Sequence, residues 1–309
     1  MLSNSSLIYV AGHTGMVGSS IVRILKKNNF KNILLVSRED LDLTNQHETY
    51  FFLKKKKPTF IFLAAAKVGG IHSNNIYKAD FIMENLLIQN NVIIGAFKAG
   101  IKDLLFLGSS CIYPKLNSGP IKENRLLEGR LETTNEPYAI AKIAGIKLCE
   151  NLNLQYKTRF KSLMPTNLYG QGDSYDLKNC HVVPALIKKI YLAKKFKKKS
   201  ITLWGDGKAK RDLLYVDDFA NAAFLFMKKK FDQSYLNIGS GSEISIIKLA
   251  KLIMDVLDYK ANIIFDKNKP NGTISKILDT SLANQLGWKP LISIKKGIAM
   301  TYDSFLKKK

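Results

Sequence analysis

The run Gly12-His13-Thr14-Gly15-Met16-Val17-Gly18 follows directly on the apolar segment Leu7-Ile8-Tyr9-Val10-Ala11. From Met16 to Lys27 the apolar residues recur with helical spacing, so the glycines lie between a predicted strand and a predicted helix. Glycine allows a tight turn and close backbone approach, and the helix N-terminus offers free N–H groups to a pyrophosphate. The stretch therefore predicts a dinucleotide-binding loop. The alternative is a glycine turn needed only to pack the strand tightly against the helix.

Apolar strand-like runs and helical stretches alternate through the first half of the chain. The predicted strands after the first are residues 33–36, 60–63, 104–107 and a segment ending at 161–164. The predicted helices are residues 16–27, roughly 79–99 and a third that follows Pro137. Continuously apolar strands between helices are typical of a parallel sheet covered on both faces. We predict an α/β fold with a doubly wound parallel sheet of the Rossmann type.

The alternation stops after about Pro165, where loops rich in Gly, Asn and Asp take over. We expect a dinucleotide-binding domain over residues 1–165, with residues 213–238 returning to pack on it. Residues 166–212 and 239–309 are expected to form a smaller C-terminal substrate-binding lobe. Such a lobe would close over the carboxyl ends of the strands, where ligands of this fold bind.

Composition excludes several classes of protein. The 309 residues contain no run approaching the roughly 18–20 apolar residues needed to span a bilayer. The first residues lack the basic and apolar regions of a signal peptide, so we expect a cytoplasmic protein with no membrane contact. Its three cysteines, Cys111, Cys149 and Cys180, are too few for a disulfide framework and lack zinc-ligand spacing. No metal site is expected.

The net charge of +23 raises the possibility of a polyanionic partner such as nucleic acid. The lysines fall in short clusters at predicted helix ends and loops, with no basic stripe interleaved with aromatic residues. We therefore expect no nucleic-acid binding, and the charge would instead favour an anionic small molecule.

Cofactor preference depends on the residues that follow the second predicted strand. That strand leads into Ser37 and Arg38, at the point where an Asp or Glu usually binds the ribose 2′-hydroxyl of NAD. Arginine suits a 2′-phosphate because its planar fork pairs with phosphate oxygens. We therefore predict NADP(H), while Glu39 keeps NAD as an alternative.

Tyr138 and Lys142 stand four residues apart, on one face of a predicted helix. An ammonium beside a phenol lowers the phenol pKa and brings proton transfer within reach of neutral pH. The spacing also occurs by chance on surface helices, but the upstream glycine loop favours the functional interpretation. Ser109, after the fourth predicted strand, is placed to hydrogen-bond a substrate carbonyl next to Tyr138.

Longer stretches of the sequence resemble one family in particular. The G-x-x-G-x-x-G spacing resembles the short-chain dehydrogenases, and nearly the whole chain resembles the GDP-L-fucose synthase family. The matching runs are residues 12–18, 65–71, 109–114, 134–145, 164–170, 181–186, 204–205, Arg211 with 216–218, and 269–273. This family inverts carbons 3 and 5 of GDP-4-keto-6-deoxymannose and then reduces carbon 4 with NADPH.

The resemblance assigns roles to individual residues. It implies Cys111 as the base and His181 as the acid of the inversions, and Ser109, Tyr138 and Lys142 as the reductive group. Without it, Cys111 and His181 would more often be buried structural residues. The cofactor-binding residues that it implies are Gly12, His13, Thr14, Gly15, Met16, Val17, Gly18, Arg38, Asp42, Leu43, Leu107, Gly108, Ser110, Lys142, Pro165, Asn167, Leu168 and His181. The substrate-binding residues are Lys189, Trp204, Arg211 and Lys276. The family also suggests a homodimer built from core helices.

Two other functions stay open at this point. A nucleotide-sugar 4-epimerase or 4,6-dehydratase would share the glycine loop and the Tyr–Lys pair, but would retain NAD through turnover. Dehydratases also place an acidic pair where this chain has Ser110 and Cys111. A non-catalytic polyanion-binding protein would explain the charge but not the set of candidate catalytic residues.

Overall fold

The computed structural model describes residues 3–116, 119–177, 180–268 and 275–307. The strands are β1 Ile8–Ala11, β2 Ile33–Leu34, β3 Phe60–Leu63, β4 Asp103–Leu107, β5 Arg159–Pro165, β6 Asn167–Tyr169, β7 Ser200–Trp204, β8 Lys210–Arg211, β9 Leu213–Tyr215, β10 Tyr235–Ile238, β11 Ile244–Ser245 and β12 Asn262–Asp266. The helices are α1 Met16–Lys27, α2 Gln46–Lys56, α3 Ile71–Ile76, α4 Lys78–Lys98, α5 Glu136–Tyr156, α6 Val182–Lys195, α7 Val216–Lys228, α8 Ile246–Val256, α9 Ser281–Gln285 and α10 Ile294–Lys307.

The central sheet has six strands in the order β10-β5-β4-β3-β1-β2, and all its pairs are parallel. The chain runs outward from β1 to β2 and then returns to β3 on the other side of β1. This reversal confirms the predicted doubly wound sheet and opens a crevice at the carboxyl ends of the strands.

Side chains of the central strands alternate between two hydrophobic clusters. On β3, Ile61 and Leu63 belong to one cluster and Phe60 and Phe62 to the other. Helices α2, α4 and α5 cover the first face, and α1 and α7 cover the second. Burial on both faces explains why these strands read as continuous apolar runs.

The segment 213–238 contributes both a helix and a strand to this framework. Helix α7 packs on α1, and β10 pairs with β5 at the edge of the sheet. A third hydrophobic cluster lies beyond the sheet and joins α6, β7, β9, α8 and α10. Three short two-stranded pairs, β6 with β9, β7 with β12 and β8 with β11, accompany it.

Two details differ from the sequence-based prediction. Strand β2 ends at Leu34 rather than at residue 36, and Leu35 beyond it is exposed at the sheet edge. Helix α2 was not predicted, because its aromatic and apolar residues 50–53 form one block instead of a helical repeat. Within the described residues, no helix is long and apolar enough to cross a membrane.

Candidate active site

A cavity of about 530 Å³ lies at the carboxyl ends of β1, β3, β4 and β5. Its wall includes every residue for which the sequence predicts a cofactor contact, from Gly12 to His181. It also includes all the predicted catalytic residues, which are Ser109, Cys111, Tyr138, Lys142 and His181. The fold thus brings residues from distant parts of the chain to one crevice.

The glycine loop is shaped by backbone contacts that a side chain would prevent. Gly12 has φ of +83°, and a Cβ there would lie 2.6 Å from the backbone nitrogen of Ala65. A Cβ on Gly18 would collide with the carbonyl oxygen of Gly12, so only glycine lets α1 pack this close to β1. Helix α1 begins after Gly15 with no side-chain cap and no acidic residue in its first turn. The first N–H groups of α1 thus have no side-chain cap, and Gly15 to Gly18 line the cavity, as a pyrophosphate site requires.

The opposite end of the same wall suits the adenosine half of a dinucleotide. Arg38 is exposed there, next to Ser37, with Asp42 and Leu43 close by in sequence. The Asp42 carboxylate accepts hydrogen bonds from the backbone N–H and the hydroxyl of Thr44, at 2.9 and 2.8 Å, and these bonds lower its pKa. The charge of Arg38 lowers this pKa as well, so the guanidinium lies near Asp42 on the cavity wall, where its planar fork suits a 2′-phosphate.

The residues present fit a bound dinucleotide along the whole cavity. The glycine cradle, the free helix end and Arg38 match the pyrophosphate and phosphate groups. In the loop itself, His13 Nδ1 is buried with no hydrogen-bond partner among the described residues. Buried polar atoms without partners are rare in proteins, so a ligand that reaches this atom would complete the site.

Lys142 is almost completely buried, with 2% of its surface exposed. Its ammonium donates a hydrogen bond of 2.8 Å to the carbonyl oxygen of Leu107, at the end of β4. The Nζ atom also lies 4.6 Å from the ring centroid of Phe106 and 5.8 Å from that of Tyr138. Desolvation lowers the pKa of Lys142 to about 7.

The pKa of Tyr138 differs from the sequence-based expectation. Lys142 was expected to lower it, but in the structure burial raises it, and the nearby Cys111 adds to the increase. A hydrogen bond with Ser109 acts in the opposite direction. Burial prevails because the phenolate would lose its solvation, and because the lysine is itself desolvated beside it. Tyr138 is therefore a protonated hydrogen-bond donor at neutral pH.

Cys111 lies on a single 3₁₀ turn, Ser110–Ile112, that follows β4. Ser109 caps this turn, since its hydroxyl oxygen accepts a 3.2 Å hydrogen bond from the Cys111 backbone N–H. The Cys111 sulfur accepts a 3.1 Å hydrogen bond from the side-chain amide of Asn135. Sequence reasoning missed Asn135 as a site residue, and its place in the family-like run 134–145 was the only signal for it.

His181 directly precedes α6 and lines the same cavity. The side chain is open to the cavity, yet many protein atoms surround it, and this desolvation lowers its pKa. Cys111 and His181 thus enter the cavity from different parts of the fold, one after β4 and the other at the start of α6.

The four predicted substrate-binding residues lie outside the wall of this cavity. Lys189 donates to the carbonyl oxygen of Thr202 at 3.3 Å and lies 5.6 Å from the ring centroid of Trp204. Arg211 lines a second cavity of about 490 Å³, together with residues of β9 and β11. Lys276 donates to the carbonyl oxygen of Tyr113 at 3.5 Å.

Lys276 connects these cations to the catalytic turn. Burial lowers its pKa, the charge of Cys111 raises it, and the charge of Arg211 lowers it further. These mutual effects place Lys276 within electrostatic range of both Cys111 and Arg211. The motif at residues 269–273, which also resembles the family, lies outside the described residues.

Comparison with known proteins agrees with this geometry. The model of the NAD dependent epimerase/dehydratase family matches residues 8–239. A protein named putative GDP-L-fucose synthase 2 from Arabidopsis thaliana is 49% identical over 306 residues, covering 99% of this chain and 93% of the relative. The GDP-L-fucose synthase of Sinorhizobium fredii is 48% identical, covering 99% of this chain and 97% of the relative.

A solved structure extends the likeness to the cofactor. The GDP-mannoheptose C4 reductase of Campylobacter jejuni, with NADP bound, superposes with a TM-score of 0.90 at 36% identity. The alignment covers 99% of this chain and 100% of that protein. The fold and the site thus define an NADP-dependent oxidoreductase of the epimerase/dehydratase class. Within that class, the chain belongs to the GDP-L-fucose synthase family.

Proposed function

We propose that this chain converts GDP-4-keto-6-deoxymannose to GDP-L-fucose by two inversions followed by one reduction. The main support for this proposal is that one cavity is lined by all five predicted catalytic residues, Cys111, His181, Ser109, Tyr138 and Lys142. A reductase alone would need only the last three. The cysteine and the histidine add a base and an acid, which proton exchange at carbon requires.

The inversions use the acidity of the hydrogens at carbons 3 and 5, which flank the C4 ketone. Cys111 as the thiolate takes a proton from carbon, and the electron pair of that C–H bond moves onto the ketone oxygen. Hydrogen bonds from Ser109 and from the protonated Tyr138 stabilise the resulting enolate, because they are aimed where the charge develops. His181 then donates a proton to the opposite face of the ring. Desolvation makes its imidazolium a stronger acid, although a smaller fraction carries the proton at neutral pH.

The reduction uses the same carbonyl oxygen. When bound, NADPH supplies the hydride that reduces carbon 4. Tyr138 donates its proton to the oxygen, Ser109 holds that oxygen in place, and Lys142 holds the nicotinamide ribose. A phenol of raised pKa is a weak acid, so we infer that a positively charged Lys142 assists the proton transfer.

The GDP half carries two phosphates, and we propose that Lys189, Arg211 and Lys276 bind them, with Trp204 on the nucleotide side. The electrostatic coupling between Lys276, Arg211 and Cys111 supports a substrate that extends from the smaller lobe to the catalytic turn. Lysine at position 189 differs from the arginine usual in the family. It keeps the charge but cannot form a two-pronged contact with phosphate.

Three organisational proposals accompany this function. First, residues 1–165 with 213–238 hold the cofactor, and residues 166–212 with 239–309 hold the substrate, supported by a separate hydrophobic cluster in the latter part. Second, the chain forms a homodimer, supported by the exposed apolar residues Met83 and Leu87 on α4 and Ile140 on α5. Third, it works in the cytoplasm, where a reducing environment would keep a catalytic thiol such as Cys111 free.

The test supplies GDP-4-keto-6-deoxymannose and NADPH in deuterated water. We expect GDP-fucose labelled at carbons 3 and 5, with one NADPH consumed for each product molecule. Cys111→Ser should slow the labelling by roughly 100-fold or more, as the loss of a general base does, and slow hydride transfer less. Cys180→Ser is the matched control, and we expect it to keep both rates.

Three outcomes would contradict the proposal. Reduction without label at carbons 3 and 5 would indicate a C4 reductase alone. Turnover without net consumption of NADPH would indicate an epimerase or dehydratase that retains its cofactor. Labelling that survives in Cys111→Ser would remove Cys111 as the base.

A further inference from the structure

The side chain of Asn135 does not perform the task usual for its position. Asn135 is the N-cap of α5, where asparagine normally accepts a hydrogen bond from a backbone N–H of the first turn. Here the side chain makes no such bond. Its Nδ2 donates instead to the Cys111 sulfur at 3.1 Å. Helix capping therefore does not explain why an amide lies at this position.

The oxygen atom of the Asn135 amide also lacks the contacts of a structural amide. Its Oδ1 is buried and has no hydrogen-bond partner among the residues that the structure describes. A buried amide oxygen without a partner costs free energy, and a small apolar residue there would avoid that cost. Among the described parts of the chain, the N–H contact with sulfur is the one favourable polar contact of this side chain. We conclude that the Asn135 amide serves as a hydrogen-bond donor to the Cys111 sulfur.

Other groups face the same sulfur. The Cys111 backbone N–H is already bonded to Ser109, so it does not reach the sulfur of its own side chain. Two titratable groups, Lys276 and Tyr138, lie within electrostatic range of Cys111, whose charge raises the pKa of each. Lys142 and His181 share the cavity wall with it. Among all these groups, the Asn135 amide is the one with a hydrogen bond directly to the sulfur.

We propose that Asn135 is a positioning residue that holds the Cys111 sulfur as a thiolate and aims it at the substrate carbon. An N–H donor favours the charged form of its partner, because hydrogen bonds to an ionised sulfur are stronger than those to a thiol. When the sulfur takes a proton, an S–H bond forms, a C–H bond breaks and the electron pair moves to the ketone oxygen. Asn135 makes and breaks no covalent bond. The inference rests on the proposed role of Cys111 as the base.

The experiment measures Cys111 directly and needs no substrate. Purified protein is alkylated with iodoacetamide from pH 5 to 10, and mass spectrometry of the Cys111 peptide gives the pH midpoint of its reaction. Asn135→Leu keeps the shape of the side chain but removes the donor. We expect its midpoint to rise by about one pH unit, the shift that corresponds to losing a hydrogen bond to a charged group. Asn135→Asp, which has the same shape but only acceptors, should raise it further.

Asn151→Leu is the matched control. Asn151 lies on the same helix, is exposed and donates to the carbonyl oxygen of Lys147. We expect it to leave the Cys111 midpoint unchanged. Thermal unfolding of each variant shows whether it is folded, and Asn135→Asp carries the test if Asn135→Leu does not fold.

An unchanged midpoint in both Asn135 variants would overturn the inference. A lowered midpoint in Asn135→Leu would overturn it as well, because the amide oxygen would then be the atom that faces the sulfur. In the deuterium assay, Asn135→Leu should slow labelling at carbons 3 and 5 and leave the affinity for NADPH unchanged. If the protein shows no labelling at all but the alkylation midpoint shifts, the proposed function fails while the assignment of Asn135 to Cys111 stands.

Discussion

The cofactor side and the substrate side of the site are built in different ways. On the cofactor side, the cavity is formed largely by backbone segments: the glycine loop, the start of α1 and the ends of the parallel strands. On the proposed substrate side, the predicted binding groups are long cationic side chains from α6, β8 and the segment before residue 278, and none of them lines that cavity. The first arrangement follows from local sequence and sheet topology, and the second depends on contacts between residues far apart in the sequence, such as that of Lys276 with Tyr113.

The largest effect is expected on the cofactor side, at Gly18. Gly18→Ala places a methyl group against the Gly12 carbonyl oxygen, so α1 must move away from β1. We expect the free energy of unfolding to fall by up to about 3 kcal/mol, as in other overpacked sites. The affinity for NADPH should fall roughly tenfold, because the helix end no longer points at the pyrophosphate. Urea unfolding and fluorescence titration with NADPH measure the two effects.

Gly15→Ala provides the control for that change. A Cβ at Gly15 would meet only the Gly12 carbonyl oxygen, at the ordinary contact distance of 3.5 Å, and its φ is −74°. We expect this variant to keep the wild-type stability. Equal losses in the two variants would mean that the loop is sensitive to any side chain, and that close packing of α1 on β1 does not define the cofactor side.

The glycine loop and helix α1 could be predicted from the sequence because their determinants are local. A glycine run between an apolar strand and an amphipathic helix needs no knowledge of the rest of the fold, and predicted helix 16–27 has the bounds seen in the structure. Other features depend on distant residues. Whether burial outweighs the hydrogen bond that lowers the Tyr138 pKa, and where the Asn135 amide points, depend on how α5 packs beside the turn after β4. No periodicity in the sequence carries that information.

A buried cation on the cofactor side gives the second prediction. Burial lowers the pKa of Lys142 to about 7, from an ordinary value near 10.5. Between these values the unfolded chain binds one more proton than the folded chain, so stability rises with pH across this window. We expect the unfolding free energy of the wild type to increase by about 2 kcal/mol between pH 7.5 and 9.5, relative to Lys142→Met. Urea unfolding of both proteins across this range measures the difference.

Only the difference between the two proteins is diagnostic. Other groups also make stability depend on pH in this range, and they contribute equally to both proteins. One is Cys149, whose thiol loses its proton here only in the unfolded chain, because burial raises its folded pKa to about 12. Parallel curves for wild type and Lys142→Met would show that Lys142 keeps an ordinary pKa. Turnover should be lost in Lys142→Met, since the residue is assigned to the reaction, so the variant would separate stability from activity at one position.

The smallest effect is expected on the substrate side, at Lys189. Lys189→Arg keeps the positive charge, and the planar guanidinium can contact two phosphate oxygens and stack on Trp204. We expect GDP, tested as a competitive inhibitor, to bind about threefold more tightly, the gain from one additional net hydrogen bond. The affinity for NADPH should not change, because Lys189 lies outside the cofactor cavity.

The control is Lys188→Arg. Lys188 lies on the same helix, its ammonium donates to the carbonyl oxygen of Tyr175, and its replacement should change neither affinity. Tighter binding of NADPH instead of GDP in Lys189→Arg would contradict this prediction. Lys189 would then belong to the cofactor side and not to the substrate side.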